Sequence, residues 1–302
     1  MPVAALYTLV VLIWGSTWAA IPYQLGEVSP EVSVAYRFAI ASVALFLFAR
    51  LTGRRLTLER SHYPMVVMQG SILFSANYFF VYYATGYVTS GLIAVLFSLI
   101  VMSNAFFERL FFKTPLEPRL VIAALIGMAG IALMFWPEVS ELSLADDTVL
   151  GLAWALAGIV TASLGNMAAV INTRRVQPVV TVNAHAMAWG AVTSLVLAFL
   201  MGRKFEFSAE PGYVISLLYL AILGSSVAFG AYLTLIRRIG SARAAYASVL
   251  FPVVALTLST LLEGYRWSGV AVAGVALTMV GNWLALTRYR RTDGPLGAQP
   301  VK

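Results

Sequence analysis

The 302-residue chain contains no cysteine and few charged residues. Without cysteine it can form neither a disulfide framework nor a thiolate metal site. Charged residues make up 11% of the sequence and hydrophobic residues 60%, a balance that excludes a water-soluble domain of this length. We therefore expect the lipid bilayer to surround most of the chain.

Polar interruptions are also rare within the apolar runs, which are about 20 residues long and do not alternate between polar and apolar positions. Backbone amides in hydrocarbon must bond within one helix or a closed barrel, so these unalternating runs predict an all-α integral membrane protein. We predict ten transmembrane helices, numbered 1 to 10, over residues 4–25, 31–51, 63–85, 90–112, 119–136, 150–172, 179–201, 213–236, 241–262 and 267–287.

Basic residues are distributed unevenly between the loops. The loops and tail that follow the even-numbered helices hold sixteen Lys and Arg residues, whereas the alternate loops hold only Arg203, Lys204 and Arg266. The positive-inside rule therefore places the even-numbered ends and both termini in the cytoplasm. The same rule accounts for the net charge of +7, so nucleic acid is not an expected partner.

The longest loop, 137–149, is acidic and predicted to be external, and it separates five helices from five. We predict a first five-helix repeat over residues 1–140, a second over residues 141–288 and a cytoplasmic tail over residues 289–302. Because five is odd, the two repeats must have opposite topology, which is typical of carriers that work by alternating access.

Internal similarity supports this division. When Glu108 is aligned with Glu263, the segment from Ala84 falls on the segment from Ile239, and both segments run into a glycine-spaced helix. Such spacing lets helices approach closely. These glycines are Gly127 and Gly130 in helix 5 and Gly269, Gly274 and Gly281 in helix 10.

Several short motifs resemble the drug/metabolite transporter superfamily, specifically its EamA-type members. They are Trp14-Gly15-Ser16-Thr17, Ala35-Tyr36-Arg37-Phe38, Glu108, Pro252-Val253, Glu263, Gly274 and Gly281. The resemblance covers nearly the whole chain and implies a ten-helix inner-membrane exporter with two inverted repeats. By size and aromatic content, the amino-acid exporters, including the YddG-type aromatic exporters, are the nearest members. The two repeats differ in one respect. Helix 9 has Pro252, but the matching position of helix 4 is Phe97, so a symmetric pair of kinks in helices 4 and 9 is not expected.

Arg37 is predicted to lie about two turns inside helix 2, where a charge is costly unless it faces a cavity or a partner. One interpretation is that it anchors a substrate carboxylate. The alternative is that it extends to the external interface, toward Glu31. Because Arg37 is the only basic residue deep in a predicted helix, sugar phosphates are not expected substrates.

A set of polar and aromatic residues is predicted to line a central cavity between helices 1, 3, 4, 6, 8 and 9, with helices 5 and 10 at the periphery. Tyr78 and Tyr82 share a face of helix 3, with Asn77 beside them. The other predicted substrate-binding residues are Trp14, Thr17, Arg37, Ser98, Trp154, Ser163, Ser225, Tyr246 and Ser248. This lining suits an apolar body with a small zwitterionic head. Alternatively, the rings form interfacial belts and the hydroxyls bond their own helices.

Four residues are candidates for coupling, gating or bending. His185 is a candidate proton-coupling group because histidine is the side chain that most often serves as a proton shuttle, and a satisfied, neutral interface histidine is the alternative. Glu108 and Glu263, at the ends of helices 4 and 9, suit gates or pairing with neighbouring arginines. Pro252 is the predicted hinge of helix 9 because it removes a backbone hydrogen bond.

We therefore expect an exporter of small amphipathic metabolites, most of all hydrophobic or aromatic amino acids, with drugs or purines as the alternative. No Asp or Glu falls near the middle of a predicted helix, which favours facilitated export over ion coupling. An intramembrane enzyme is the competing class, but His62 and His185 have no carboxylate at their depth to form an active site. No cofactor is expected. The sequence leaves the oligomeric state open, with helices 5 and 10 as one candidate interface.

Overall fold

The computed structural model describes residues 1–24, 26, 28–87, 93, 96–97, 99–134, 136, 146–174, 178–262 and 267–286. Within these residues the chain is helical and has no strand. Seven of its ten helices are continuous: α1 Val3–Ala20, α2 Pro30–Leu51, α4 Ile100–Phe112, α5 Pro118–Met134, α6 Asp146–Arg174, α7 Val179–Leu200 and α10 Gly269–Leu286. Three consist of consecutive segments: α3 (Tyr63–Ser71, Ile72–Ala76, Asn77–Thr85), α8 (Pro211–Tyr219, Leu220–Val227, Ala228–Ile239) and α9 (Ser241–Ala245, Tyr246–Leu250, Phe251–Leu262).

These helices confirm the all-helical fold predicted from the apolar runs. Five stretches are long and apolar enough to cross a membrane: Pro30–Leu51, Arg60–Thr85, Asp147–Thr173, Val179–Leu200 and Pro211–Ile239. Shorter apolar helices account for α1, α5, α9 and α10. The sidedness of the helix ends stays a prediction, and the repeat boundary at 140/141 and the tail at 289–302 lie outside the described residues.

The contacts between helices keep the same pattern when α1–α5 are exchanged with α6–α10. α2 packs along α7, and α5 packs along α10. α3 packs against α6 and α7, and α8 correspondingly packs against α1 and α2. α4 contacts α6 and α9, as α9 contacts α1 and α4. The two sets of five helices therefore interlock instead of forming separate bundles.

Glycines allow α5 and α10 to approach until their backbones touch. A Cβ at Gly130 would lie 2.6 Å from the backbone nitrogen of Thr278 and 2.7 Å from the carbonyl oxygen of Gly274. A Cβ at Gly281 would lie 2.8 Å from the carbonyl oxygen of Ala123. Gly130, Gly274 and Gly281 are therefore packed within the chain, whereas no atom lies within 4 Å of a Cβ at Gly269. An interface between copies through helices 5 and 10 stays a prediction.

The third helix of each set of five contains a π-helical segment, Ile72–Ala76 in α3 and Leu220–Val227 in α8. A π segment widens the helical turn and changes the regular pairing of backbone carbonyls, and it often marks a functional site. In α8, the hydroxyl of Ser225 donates to the carbonyl of Leu220 at 2.9 Å. Both segments lie next to the site described below.

Candidate functional site: a buried arginine among aromatic side chains

Arg37 is buried inside the bundle, with 3% of its surface exposed. Its Nε donates a hydrogen bond to the Ser225 hydroxyl at 2.9 Å, which links α2 to α8. Its guanidinium carbon lies 4.7 Å from the centre of the Tyr78 ring, within range of a cation–π contact. Tyr82 lies one turn further along α3 than Tyr78. The side chain of Arg37 is thus packed between α3 and α8 and does not extend toward solvent.

The charge of Arg37 has no carboxylate partner within 4 Å among the described residues. Glu31, which was its candidate partner, instead accepts a hydrogen bond from the Tyr83 hydroxyl at 2.8 Å and lies 3.6 Å from Nε of Arg203. A buried cation without a counter-ion is costly. An anionic ligand would remove that cost.

Gly224 brings α1, α2 and α8 together beside the guanidinium. Nε1 of Trp14 donates to the Gly224 carbonyl at 2.8 Å. A Cβ on Gly224 would lie 3.0 Å from Cγ2 of Thr17 and 3.4 Å from Nη2 of Arg37. A side chain at this position would therefore press on both residues, so glycine favours their close approach.

Aromatic rings form the apolar part of the cluster. The Trp14 ring lies 4.7 Å from Phe229, 5.0 Å from Tyr232 and 5.8 Å from Phe251, measured between ring centres. Trp14 keeps part of its surface exposed, and so does Tyr78. Together with Arg37 these rings present one cationic group beside a wide apolar surface, which matches the two parts of an amphipathic ligand.

Three further predicted site residues carry buried polar atoms without a hydrogen-bond partner in the described part of the chain. They are Asn77 through Oδ1, Trp154 through Nε1 and Ser163 through Oγ. The Trp154 ring packs against Phe80 and Tyr83, at centre distances of 5.6 and 5.7 Å. Buried polar atoms are paired in the great majority of cases, so this group is unusual.

The Glu108 carboxylate on α4 bonds the N-terminus of α9, and not one of the neighbouring arginines with which pairing was expected. Its Oε1 accepts hydrogen bonds from the backbone nitrogen of Ser241 at 2.8 Å and from the Ser241 hydroxyl at 2.7 Å. Nearby, Asn104 donates to the Ser241 carbonyl at 3.3 Å, and Asn166 donates to Oδ1 of Asn104 at 3.3 Å. The network joins α4, α6 and α9 at the end predicted to be cytoplasmic.

Some predicted site residues lie away from Arg37. The Tyr246 hydroxyl donates to the Leu120 carbonyl of α5 at 2.5 Å, so this fully buried side chain is a packing contact between α9 and α5. The Ser248 hydroxyl bonds the carbonyl of Ala245 in its own helix. Nδ1 of His185 lies 3.0 Å from the Thr181 carbonyl, which agrees with the alternative of a satisfied structural histidine.

The predicted hinge, Pro252, is the second residue of the segment Phe251–Leu262, directly after the 3₁₀ turn Tyr246–Leu250. Proline has no N–H to donate to the carbonyl four residues earlier, which fits a change of helix type at this point. Its role as a hinge stays a prediction. Ser98 and Glu263 lie outside the described residues.

Comparison with known proteins identifies the family. The EamA-like transporter family matches residues 1–136 and, a second time, residues 149–287. The chain therefore belongs to the EamA-like transporter family, as the motifs predicted. A solved crystal structure of 20% identity has a TM-score of 0.80 with this chain, covering 97% of it and 99% of the solved chain, which shows that the two share the fold.

Two curated relatives illustrate what the family contains. The uncharacterized inner membrane transporter YedA of Escherichia coli K12 is 28% identical over 290 residues, which cover 93% of this chain and 91% of YedA. A protein of the same strain named as a probable amino-acid metabolite efflux pump is 26% identical over 291 residues, covering 91% of this chain and 92% of the relative. The chain is accordingly a multi-pass transporter of the inner membrane.

Reasoning from the sequence missed several residues of the cluster. Gly224, Phe229 and Tyr232 on α8 contact Trp14, and Asn166 contacts Tyr232. A usable signal existed for Asn166 and Tyr232, because each is a polar-tipped side chain inside a predicted helix. Gly224 carried no comparable signal, since its role depends on three helices meeting.

Proposed function

We propose that this transporter exports small amphipathic metabolites that carry a carboxylate, with hydrophobic and aromatic amino acids as the first class, by alternating access. The observation that carries the proposal is Arg37, a buried cation that contacts the rings of Tyr78 and Phe38 and has no described carboxylate partner. A guanidinium binds carboxylates through two parallel hydrogen bonds, and Nε is already occupied by Ser225. The two terminal nitrogens are the ones that would bind the substrate.

The aromatic surface supplies the second half of this recognition. The ring centres of Phe229 and Phe251 lie 4.7 and 5.8 Å from the ring centre of Trp14. An apolar side chain in contact with these three rings is therefore shielded from water. Burial of a hydrocarbon side chain contributes about 25 cal/mol per Å² of apolar surface. Such a surface favours leucine or phenylalanine over glycine or serine.

Alternating access is supported by the symmetric helix contacts and by the two family matches. Two halves that make equivalent contacts can exchange their conformations, so that closure at one end is replaced by closure at the other. The link from Glu108 to Ser241 holds α4 against α9 at one end. The π segments of α3 and α8 place irregular backbone beside the site, where bending costs least.

Export of cationic drugs or purines is the competing function within this family. A cationic drug would be repelled by the uncompensated guanidinium, since like charges at close range in a poorly solvated site are destabilising. A purine is neutral and would leave the charge of Arg37 without a partner. The name of the efflux relative, which refers to amino-acid metabolites, supports the carboxylate class.

Efflux from proteoliposomes tests the proposal. Purified protein is reconstituted, vesicles are loaded with radiolabelled leucine, phenylalanine, adenine or a quaternary ammonium dye, and efflux is followed with and without an imposed pH gradient. We expect saturable efflux of the two amino acids that exceeds the flux through protein-free vesicles, with no requirement for a pH gradient. Saturable efflux of adenine or the dye in the absence of amino-acid flux would overturn the proposal.

A further inference from the structure

Tyr232 of α8 lies between the aromatic cluster and a buried polar network. Its ring centre lies 5.0 Å from that of Trp14 and 6.5 Å from that of Phe229. Its hydroxyl accepts a hydrogen bond from Nδ2 of Asn166 on α6 at 3.3 Å, and only 4% of the residue is exposed. One side chain therefore contacts the candidate site through its ring and another helix through its hydroxyl.

From Asn166 the contacts continue to the end of the bundle that is predicted to be cytoplasmic. Nδ2 of Asn166 also donates to Oδ1 of Asn104 at 3.3 Å, and Nδ2 of Asn104 donates to the Ser241 carbonyl at 3.3 Å. Ser241 in turn donates to Glu108 through its backbone nitrogen and its hydroxyl. Asn104, Asn166 and Ser241 are all buried. An unbroken series of contacts thus joins Trp14 to the link between α4 and α9.

This network is incompletely bonded in the described state. Oδ1 of Asn166 has no hydrogen-bond partner among the described residues. The bonds of Asn166 to Tyr232 and Asn104, and that of Asn104 to Ser241, are 3.3 Å long, against about 2.9–3.0 Å for typical N–H···O bonds. An unpaired buried acceptor is costly, so an arrangement that gives this oxygen a donor would recover that cost. The network is therefore suited to change between two arrangements.

The other end of this series lies where a substrate would bind. Trp14 donates to the Gly224 carbonyl, and a Cβ on Gly224 would lie 3.4 Å from Nη2 of Arg37. A substrate whose carboxylate is held by Arg37 and whose apolar side chain lies on Trp14 would press on the ring that contacts Tyr232. Because protein interiors are closely packed, neighbouring side chains must adjust to a displaced ring.

Two hydroxyl groups beside the guanidinium do not extend the network in this way. Thr17 donates to the carbonyl of Trp14, and Ser225 donates to the carbonyl of Leu220, so each bonds a carbonyl of its own helix. Tyr232 instead bonds a side chain of α6, which itself contacts α4. Tyr232 is accordingly the stronger candidate for connecting the site to distant helices.

We propose that Tyr232 couples occupancy of the candidate site to closure of the cytoplasmic end, by passing a displacement of Trp14 through Asn166 and Asn104 to Ser241. An exporter must open to the cytoplasm when empty and close that end once loaded, or the substrate returns. A bound substrate shifts this equilibrium only if its contacts differ between the two states, and the position of the Trp14 ring is such a difference. Tyr232 is thus a positioning residue. This inference rests on the proposed function.

Cysteine labelling tests the coupling. The chain has no cysteine, so one cysteine placed at Ser248 reports access through its rate of reaction with a maleimide. The rate is measured in detergent with and without saturating L-phenylalanine. The variants are Tyr232→Phe, which keeps the ring beside Trp14 and removes only the hydroxyl, and Asn166→Leu, which removes the next donor.

Tyr7→Phe is the matched control. It removes a different buried tyrosine hydroxyl of the bundle, which bonds Asn282 of α10 and has no printed contact with the network around Asn166. Binding of radiolabelled L-phenylalanine, its efflux from proteoliposomes and thermal melting in detergent are measured for every variant. Melting shows that each variant is folded, and binding separates a damaged site from a lost connection.

We expect L-phenylalanine to slow labelling about fivefold in the parent and in Tyr7→Phe, and less than about twofold in Tyr232→Phe and Asn166→Leu, as the loss of one hydrogen bond implies. The maximal rate of efflux should fall in the latter two variants while KM changes less than about threefold, since the contacts with the substrate remain. Adding Glu108→Gln to Tyr232→Phe should cause no further loss of the response to L-phenylalanine, because both changes act on one connection.

Equal slowing of labelling in Tyr232→Phe and in the parent would overturn the coupling role of Tyr232. A response lost to the same degree in Tyr7→Phe would overturn it too, because the effect would then follow from loosening of the bundle. A parent that binds L-phenylalanine but keeps an unchanged labelling rate would also overturn the coupling and leave the proposed function standing. Absence of both binding and saturable amino-acid efflux would refute the proposed function, and this inference with it.

Discussion

Two pairs of helices in this transporter, α5 with α10 and α3 with α8, differ in helix type and in packing. α5 and α10 are continuous α-helices whose glycines bring backbone against backbone, with contacts near 2.7 Å from the positions where a Cβ would stand. α3 and α8 each contain a π segment, and their side chains surround a buried charge. The first pair is held by direct contact between its backbones, which suits a fixed support. The second pair has irregular turns beside a buried charge, which suits a binding site that changes shape.

The largest effect is expected at the support. Changing Gly130→Ala places a methyl group against the backbone of Thr278 and Gly274, and such overpacking should lower the free energy of unfolding by about 3 kcal/mol. Gly269→Ala is the matched control, because no atom lies within 4 Å of its Cβ position. Thermal melting in detergent compares the two. Equal melting temperatures would show that α5 and α10 are not packed as described.

The next effect is expected at the buried charge. Arg37→Gln should reduce the saturable efflux of leucine or phenylalanine about 100-fold, because truncating one partner of a buried ion pair costs 2–5 kcal/mol. The same change should leave the melting temperature equal or higher, since it removes an uncompensated charge from the interior. Opposite signs for transport and stability distinguish a binding residue from a packing residue. A fall in both would contradict the role given to Arg37.

A smaller effect is expected where α4 meets α9. Glu108→Gln keeps the shape of the side chain but removes the negative charge at the N-terminus of α9, and it should cost about 1 kcal/mol. Because the chain has no cysteine, a single cysteine at Ser248 reports access from the cytoplasm through its rate of labelling. We expect faster labelling in Glu108→Gln than in its parent. An unchanged rate would mean that this link does not hold the end closed.

The smallest effect is expected from the residue that positions Arg37. Ser225→Ala removes the hydroxyl that accepts from Nε of Arg37 and caps the Leu220 carbonyl, and it should raise KM about fivefold, as the loss of one hydrogen bond of about 1 kcal/mol implies. Ser226→Ala is the comparison, because the hydroxyl of Ser226 bonds the Ala41 and Ala221 carbonyls and does not bond Arg37. If both variants changed KM equally, the effect would belong to α8 as a whole.

Much of the fold was predictable because hydrophobicity in a bilayer acts on each segment separately. The predicted helices over 31–51, 179–201 and 241–262 agree with α2, α7 and α9 to within one residue at each end. The glycine spacing correctly indicated close approach of helices 5 and 10. The sequence did not indicate the π segments, because a π turn uses the same residue types as the α-helix around it and is set by packing.

The candidate site was predicted in part. Arg37, Tyr78 and Ser225 were each expected in a central cavity, and the structure brings them into contact. Tyr246 was expected there as well, but its hydroxyl reaches α5 instead. Helical spacing tells which residues share a face of one helix, but the rotation of that face toward the centre depends on all neighbouring helices.

The amino-acid sequence alone determined that this chain is a membrane protein of many helices, where most of those helices lie to within about five residues, and which family it resembles, because segment-by-segment transfer into lipid and short motifs are local properties. Only the tertiary structure decided that Arg37 turns away from Glu31 to Ser225 and that Glu108 caps α9. The physical reason is that these outcomes depend on contacts between residues as far apart as 188 positions, which no local pattern in the sequence encodes.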